Sequence, residues 1–119
     1  MHADVIFWPL WCNKNEIYKV DDIRSKWDIG NKAVEFIPYW ENKVLTTKTD
    51  KVIISYYDKK GEKLALVSNL ARQDQTVVIT LPAGVKQVIN AENNKVLPIA
   101  GNQVKLPLKR NDFGMLIIK

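Results

Sequence analysis

The chain has 119 residues, room for one domain and little more. With 46% hydrophobic residues it can bury a core, and this is not the composition of a disordered chain. Its formal net charge is +5, but the lysines and arginines are scattered and the densest group, Lys59, Lys60 and Lys63, falls at a turn rather than along a stripe, which argues against a nucleic-acid partner. Cys12 is the only cysteine, so no internal disulfide can form. The apolar run Val5–Trp11 contains Pro9 and is far too short to span a membrane, and no membrane partner is expected.

In chain order, Val5–Trp11 (VIFWPLW) is dense in β-formers, and Pro9 restricts it to an edge strand or an extended segment. Trp8 and Trp11 need a surface to lie on: the body of the protein, a neighbouring domain, or the C–H face of a sugar. Val20–Asp28 is the one short helix expected. Asp21 suits the N-cap, Asp22 the positive end, and Val20, Ile23 and Trp27 share a face before Gly30 offers a stop. In Ala33–Asn42, Pro38 holds Ile37 extended and Phe36, Tyr39 and Trp40 concentrate apolar surface, which reads as a crossover onto the sheet. Leu45–Asp50 leads into the first long strand.

From Lys51 the period becomes two. Lys51–Leu70 is a hairpin whose turn, Asp58–Glu62, contains Gly61. Val52, Ile54 and Tyr56 face one way and Ile53, Ser55 and Tyr57 the other, with apolar residues on both sides, as in a central strand. Thr76–Leu81 directs Val77, Ile79 and Leu81 inward. Val85–Ala91 is a further strand, Asn93-Asn94 a turn, and Val96–Ile99 a short strand interrupted by Pro98. Val104, Leu106 and Leu108 form the next inward set, Pro107 marks an edge, and in Phe113–Ile118 the residues Phe113, Met115 and Ile117 face one way. These are about seven short strands with regular turns, the pattern of an all-β, antiparallel sandwich with one short helix in the N-terminal segment. The expected division is residues 1–45 as an aromatic linker with the helix and 46–119 as the β-sandwich.

No catalytic constellation stands out. His2 is the only histidine, Cys12 has no base near it, and a zinc site needs more Cys and His ligands than the chain has. The glycines are isolated, with no phosphate-cradling loop. Glu16, Glu35 and Glu41 could in principle contribute to a carboxylate pair, but no spacing singles one out. No catalytic residue, metal ligand or cofactor is assigned.

The tryptophan-bearing helix Asp21–Trp27, then Val34-Glu35-Phe36-Ile37-Pro38-Tyr39-Trp40, then VIISYYDKKGEKLALVSNL resembles the C-terminal end of large bacterial glycoside hydrolases, similar to the β-N-acetylgalactosaminidase-like family. The resemblance covers nearly the whole chain and is most specific over Phe36–Trp40. It implies a catalytic (β/α)-barrel in the same parent chain, which carries the catalytic carboxylates, followed by a small all-β domain. The parent is then expected in the periplasm or outside the cell, and Met1–Asn42 leaves the barrel and crosses to the sandwich. The function so implied is a non-catalytic accessory domain of a glycoside hydrolase that stabilises or orients the barrel. In that role, some of Trp8, Trp11 and Trp27 should be more open than a core aromatic. The alternative is a carbohydrate-binding module, with glycan as partner and Trp8, Trp11, Tyr39 and Trp40 as the stacking residues; Tyr56 and Tyr57 are weaker candidates. A self-contained enzyme lacks a nucleophile and base, and an exposed sheet edge accepting a partner strand is a fourth possibility.

Overall fold

The computed structural model of the chain describes residues 22–27 and 32–119. Its strands are β1 (Val34–Ile37), β2 (Thr46–Thr47), β3 (Val52–Lys59), β4 (Glu62–Asn69), β5 (Gln75–Thr80), β6 (Val88–Asn90), β7 (Val96–Leu97), β8 (Ile99–Ala100), β9 (Gln103–Leu108) and β10 (Phe113–Ile118). They form a six-stranded sheet in the order β1-β3-β4-β10-β6-β7 and a four-stranded sheet in the order β2-β5-β9-β8, antiparallel throughout. The fold is the all-β sandwich expected, with a helical turn at residues 22–26. The strands outnumber the seven read from alternation because the additional ones are two to four residues long and are defined by their pairing.

Val34–Ile37, part of a segment read as a crossover, is one of these: it pairs with β3 from Val34 opposite Lys59 to Ile37 opposite Tyr56. Pro38 ends it, since a proline cannot donate to the ladder. The chain then does cross, from the larger sheet at β1 to the smaller one at β2. Pro98 has a similar effect. The single strand expected over Val96–Ile99 is instead β7 in the larger sheet and β8 in the smaller, with Pro98 between them.

The β3–β4 hairpin is the longest pairing, from Val52 opposite Asn69 to Lys59 opposite Glu62. Its two turn residues, Lys60 and Gly61, have φ of 53° and 91°. Positive φ at both positions gives a type I′ turn, whose twist matches that of the strands it joins. Asp58 supports the turn by accepting a hydrogen bond from the Gly61 amide at 3.1 Å and pairing with the Lys63 ammonium at 3.3 Å.

Between the sheets lies the main core. Ile54, Tyr56, Ala65, Val67, Leu116 and Ile118 of the larger sheet meet Val77, Ile79, Val104, Leu106 and Leu108 of the smaller. The inward sets read from β5 and β9 are buried as expected. At Gly114 the layers approach so closely that a Cβ would stand 2.9 Å from Leu106 Cδ2, and the Leu106 side chain would have to shift to admit one.

The outer face of the larger sheet is also apolar. Tyr57, Leu64, Leu66 and Met115 are buried there beneath Ile23 and Trp27 of the helical turn, and Val34, Phe36, Ala91, Phe113 and Ile117 are partly buried around them. The Phe36 and Tyr57 rings lie 5.0 Å apart. Arg24 stands over Tyr57 and Lys59 over Trp27, each 5.7 Å from the ring centroid, so cations cover aromatic faces that would otherwise meet water. Antiparallel sheets commonly leave one face solvated. Here the larger sheet is a middle layer, with apolar packing on both sides.

Candidate functional site

The loop that leaves β1 carries the aromatic pair singled out in the sequence. Pro38 is buried, and its carbonyl accepts a hydrogen bond from the Glu41 amide at 2.9 Å. This closes a turn with Tyr39 and Trp40 at its two central positions, where side chains point away from the body of the domain. Tyr39 is 45% exposed and Trp40 63%. The rings meet edge to face, with centroids 5.1 Å apart and planes at 86°.

Asn42 fixes this loop. Its side-chain amide donates to the carbonyls of Leu45 at 2.7 Å and Ile54 at 3.0 Å, while Oδ1 accepts from the amides of Val44 and Leu45, both at 3.0 Å. One side chain thus closes the next turn, residues 42–45, and pins it to β3. Below it, the Thr47 hydroxyl donates to Val78 O at 2.7 Å and accepts from the Thr49 amide at 3.1 Å. A cleft of about 210 Å³ opens between the loop and β2 and β3, lined by Tyr39, Asn42, Leu45, Thr46, Thr47 and residues 52–54. Asn42 and Thr47 are committed to the backbone. Of the lining residues, Tyr39 and Thr46 are the exposed ones.

The other candidates read from the sequence separate clearly. Trp8 and Trp11, and with them His2, Cys12 and Glu16, lie outside the described residues. Of Trp8, Trp11 and Trp27, some of them expected to be more open than a core aromatic, Trp27 alone is among the described residues; it is 7% exposed and covers the outer-face cluster. Tyr56 and Tyr57 are buried and offer no sugar-stacking surface. Burial, and then the nearby carboxylates of Asp58 and Glu35, push the Tyr56 hydroxyl above its ordinary pKa and hold it neutral. Glu35 and Glu41 are exposed, with no bond arrangement that sets either apart. Among the described residues no three His, Cys, Asp or Glu side chains group as a metal site, and no helix is long and apolar enough to cross a membrane. Asn42 is the residue the sequence reading missed. An Asn just before a short loop into a strand is the available signal, because its side chain can close a turn on the following amides.

No protein-family model matches the chain, and no curated protein sequence matches it. Solved structures do. An Anoxybacillus α-amylase superposes with a TM-score of 0.62 over 92% of this chain and 23% of its own, at 14% identity. An α-amylase of Geobacillus thermoleovorans, in complex with acarbose, gives 0.61 over 88% of this chain and 22% of its own, at 14% identity. A candidate α-N-acetylgalactosaminidase of Bacillus halodurans gives 0.52 over 64% and 20%, at 19% identity. The chain spans about a fifth to a quarter of the length of these proteins. What it shares with them is the fold: a small two-sheet β-domain of the kind that forms a minor part of these glycoside hydrolase chains.

Proposed function

We propose that this chain is the non-catalytic C-terminal domain of a multidomain glycoside hydrolase, and that it buttresses the catalytic barrel of the same polypeptide. The observation that carries this reading is the outer face of the larger sheet. A free-standing sandwich commonly leaves that face polar, yet here Phe36, Phe113 and Ile117 ring it, partly buried, around a centre that the helical turn covers. Burying a Phe or Ile side chain fully contributes about 1.5–3 kcal/mol, and these three, already partly buried, would each add a fraction of that on closing the rim against a second domain. The likeness to a minor portion of glycoside hydrolase chains supports the identity of that second domain. The helical turn seated on the face lies on the N-terminal side of the sandwich in sequence, the side from which a preceding barrel would arrive. Hydrolysis of the glycosidic bond belongs to the barrel in this reading, and this domain holds its fold and placement.

Hydroxyl-radical footprinting of the 119-residue chain and of the longer native polypeptide tests the reading. Phe36, Phe113 and Ile117 should oxidise readily in the first and be protected in the second. Equal oxidation in both would reject the docking face. A second reading, in which the domain itself contacts glycan, is favoured by a different observation: the open corner formed by Tyr39 and Trp40.

A further inference from the structure

We propose that the Tyr39–Trp40 corner is a binding site for a single pyranose, such as the end residue of a glycan chain. The inference deepens the second reading above and stands apart from the docking face.

Trp40 is the most exposed of the large hydrophobic side chains among the described residues, and Tyr39 stands perpendicular to it, so the rings form a corner of floor and wall. A ring face carries the negative part of its quadrupole and attracts weakly positive C–H groups, which a pyranose presents on its apolar face. The indole N–H rides on the same exposed ring and can donate to a sugar hydroxyl. Thr46 adds a hydroxyl to the cleft beside Tyr39, and the exposed Glu41 and Lys43 follow Trp40 in the same loop, supplying the kinds of donor and acceptor that a ring of hydroxyls requires.

Three features select this ligand over others. The apolar surface is interrupted at once by Glu41, Asn42 and Lys43, so it is the size of a sugar ring rather than of a protein interface. A stacked nucleotide needs an electropositive groove for its phosphate, and in this loop the carboxylate of Glu41 offsets the one nearby cation in sequence, Lys43. Rings at 86° cannot form one flat platform for successive sugar units, and the cleft beside Tyr39, about 210 Å³, is smaller than the roughly 300–1,000 Å³ of sites for larger ligands. The ligand is therefore one ring. The Glu41–Pro38 bond closes the corner's own turn and the four hydrogen bonds of Asn42 anchor the segment directly after it to β3, which limits the ordering cost of binding.

The test is a titration of the 119-residue chain with glucose, maltose, maltotriose and N-acetylgalactosamine followed by ligand-observed NMR, with circular dichroism to verify the fold of each variant. At least one sugar should give a saturable change at millimolar concentration. For glucose, maltose and maltotriose, the affinity should vary by no more than about twofold with length, one ring being engaged. Trp40→Ala should weaken binding about tenfold or more, Tyr39→Ala less, and Trp40→Phe, which keeps a ring face, should restore part of the loss. Three results would overturn the proposal: no saturable change with any sugar, binding that persists in Trp40→Ala, or affinity that climbs steeply with each added glucose unit. None of these bears on the footprint of the outer sheet face, so failure here and failure of the accessory-domain reading are read separately.

Discussion

Replacing Asn69 with Ala is expected to destabilise the chain by about 3 kcal/mol or more, a fall in melting temperature of roughly ten degrees or more at this size. Asn69 ends β4 and is fully buried. Its side-chain amide donates to Gln73 O at 3.0 Å and Lys109 O at 3.1 Å, and its Oδ1 accepts from the Ala71 amide at 3.0 Å and from Gln75 Nε2 at 2.8 Å. Gln75 in turn donates to Asp50 O at 2.7 Å. One side chain therefore ties the turn after β4, the start of β5 and the turn after β9 into a single network. Removing it leaves two carbonyls and two donors without their partner, and each buried group left unsatisfied costs about 1–3 kcal/mol. Asn69→Asp tests the direction of the bonds: it keeps the acceptor but turns the donor into a second oxygen facing two carbonyls, so it should be no more stable than the alanine variant. Thermal and urea unfolding measure both. A loss below about 1 kcal/mol for Asn69→Ala would show that water replaces the network.

Leu66→Ala and Leu116→Ala form the second test, because the two leucines lie on neighbouring strands and opposite faces of the larger sheet. Met115 is paired with Leu66, and Leu116 with Ala65. Leu116 is 0% exposed in the core between the sheets, and Leu66 is 2% exposed on the outer face under the cluster that includes Trp27. If the outer face is a true packing layer, both substitutions cost about 2–5 kcal/mol, the usual range for a buried leucine truncated in a core. If that face were an ordinary solvated one, Leu66→Ala would be nearly silent while Leu116→Ala stayed costly. The comparison is made within one protein by the same denaturant titration, so differences in the unfolded reference largely cancel.

Much of this fold was legible in the sequence wherever periodicity and turn chemistry agreed. Val77 and Ile79 in β5, and Val104, Leu106 and Leu108 in β9, alternate so regularly that only one face can be the core, and Gly61, Asn94, Gly101 and Asn111 all take the left-handed conformation their turns demand. β3 announced itself as central through apolar residues on both faces, and it is flanked by β1 and β4. What escaped the reading has no local pattern. β1 and β2 are strands only because β3 and β5 pair with them, and the division of 96–100 between two sheets follows from Pro98 and from partners far away in the chain. Asn42 and Asn69 look alike in sequence to any polar loop residue. Their weight comes from carbonyls twelve and forty positions away, Ile54 and Lys109. Of the aromatic candidates, Tyr39 and Trp40 lie on open surface, and the same side-chain chemistry at Tyr56, Tyr57 and Trp27 is spent on packing. The type of residue did not distinguish these cases. The turn after Pro38 did, by placing two rings at positions that no neighbouring strand covers.

The claim that joins these observations is that the chain is one domain of a larger glycoside hydrolase, and the size of the native polypeptide tests it most directly. An antibody raised against the 119-residue chain, used on extracts and culture medium of the source organism with intact-mass confirmation, should detect a polypeptide about three to four times this length, since the superposed 64–92% of the chain makes up 20–23% of the glycoside hydrolases it is compared with. That polypeptide, once purified, should cleave glycosides. A native polypeptide of only 119 residues, folded and stable by itself, would contradict the claim and leave the apolar outer face of the larger sheet to be explained by a separate partner.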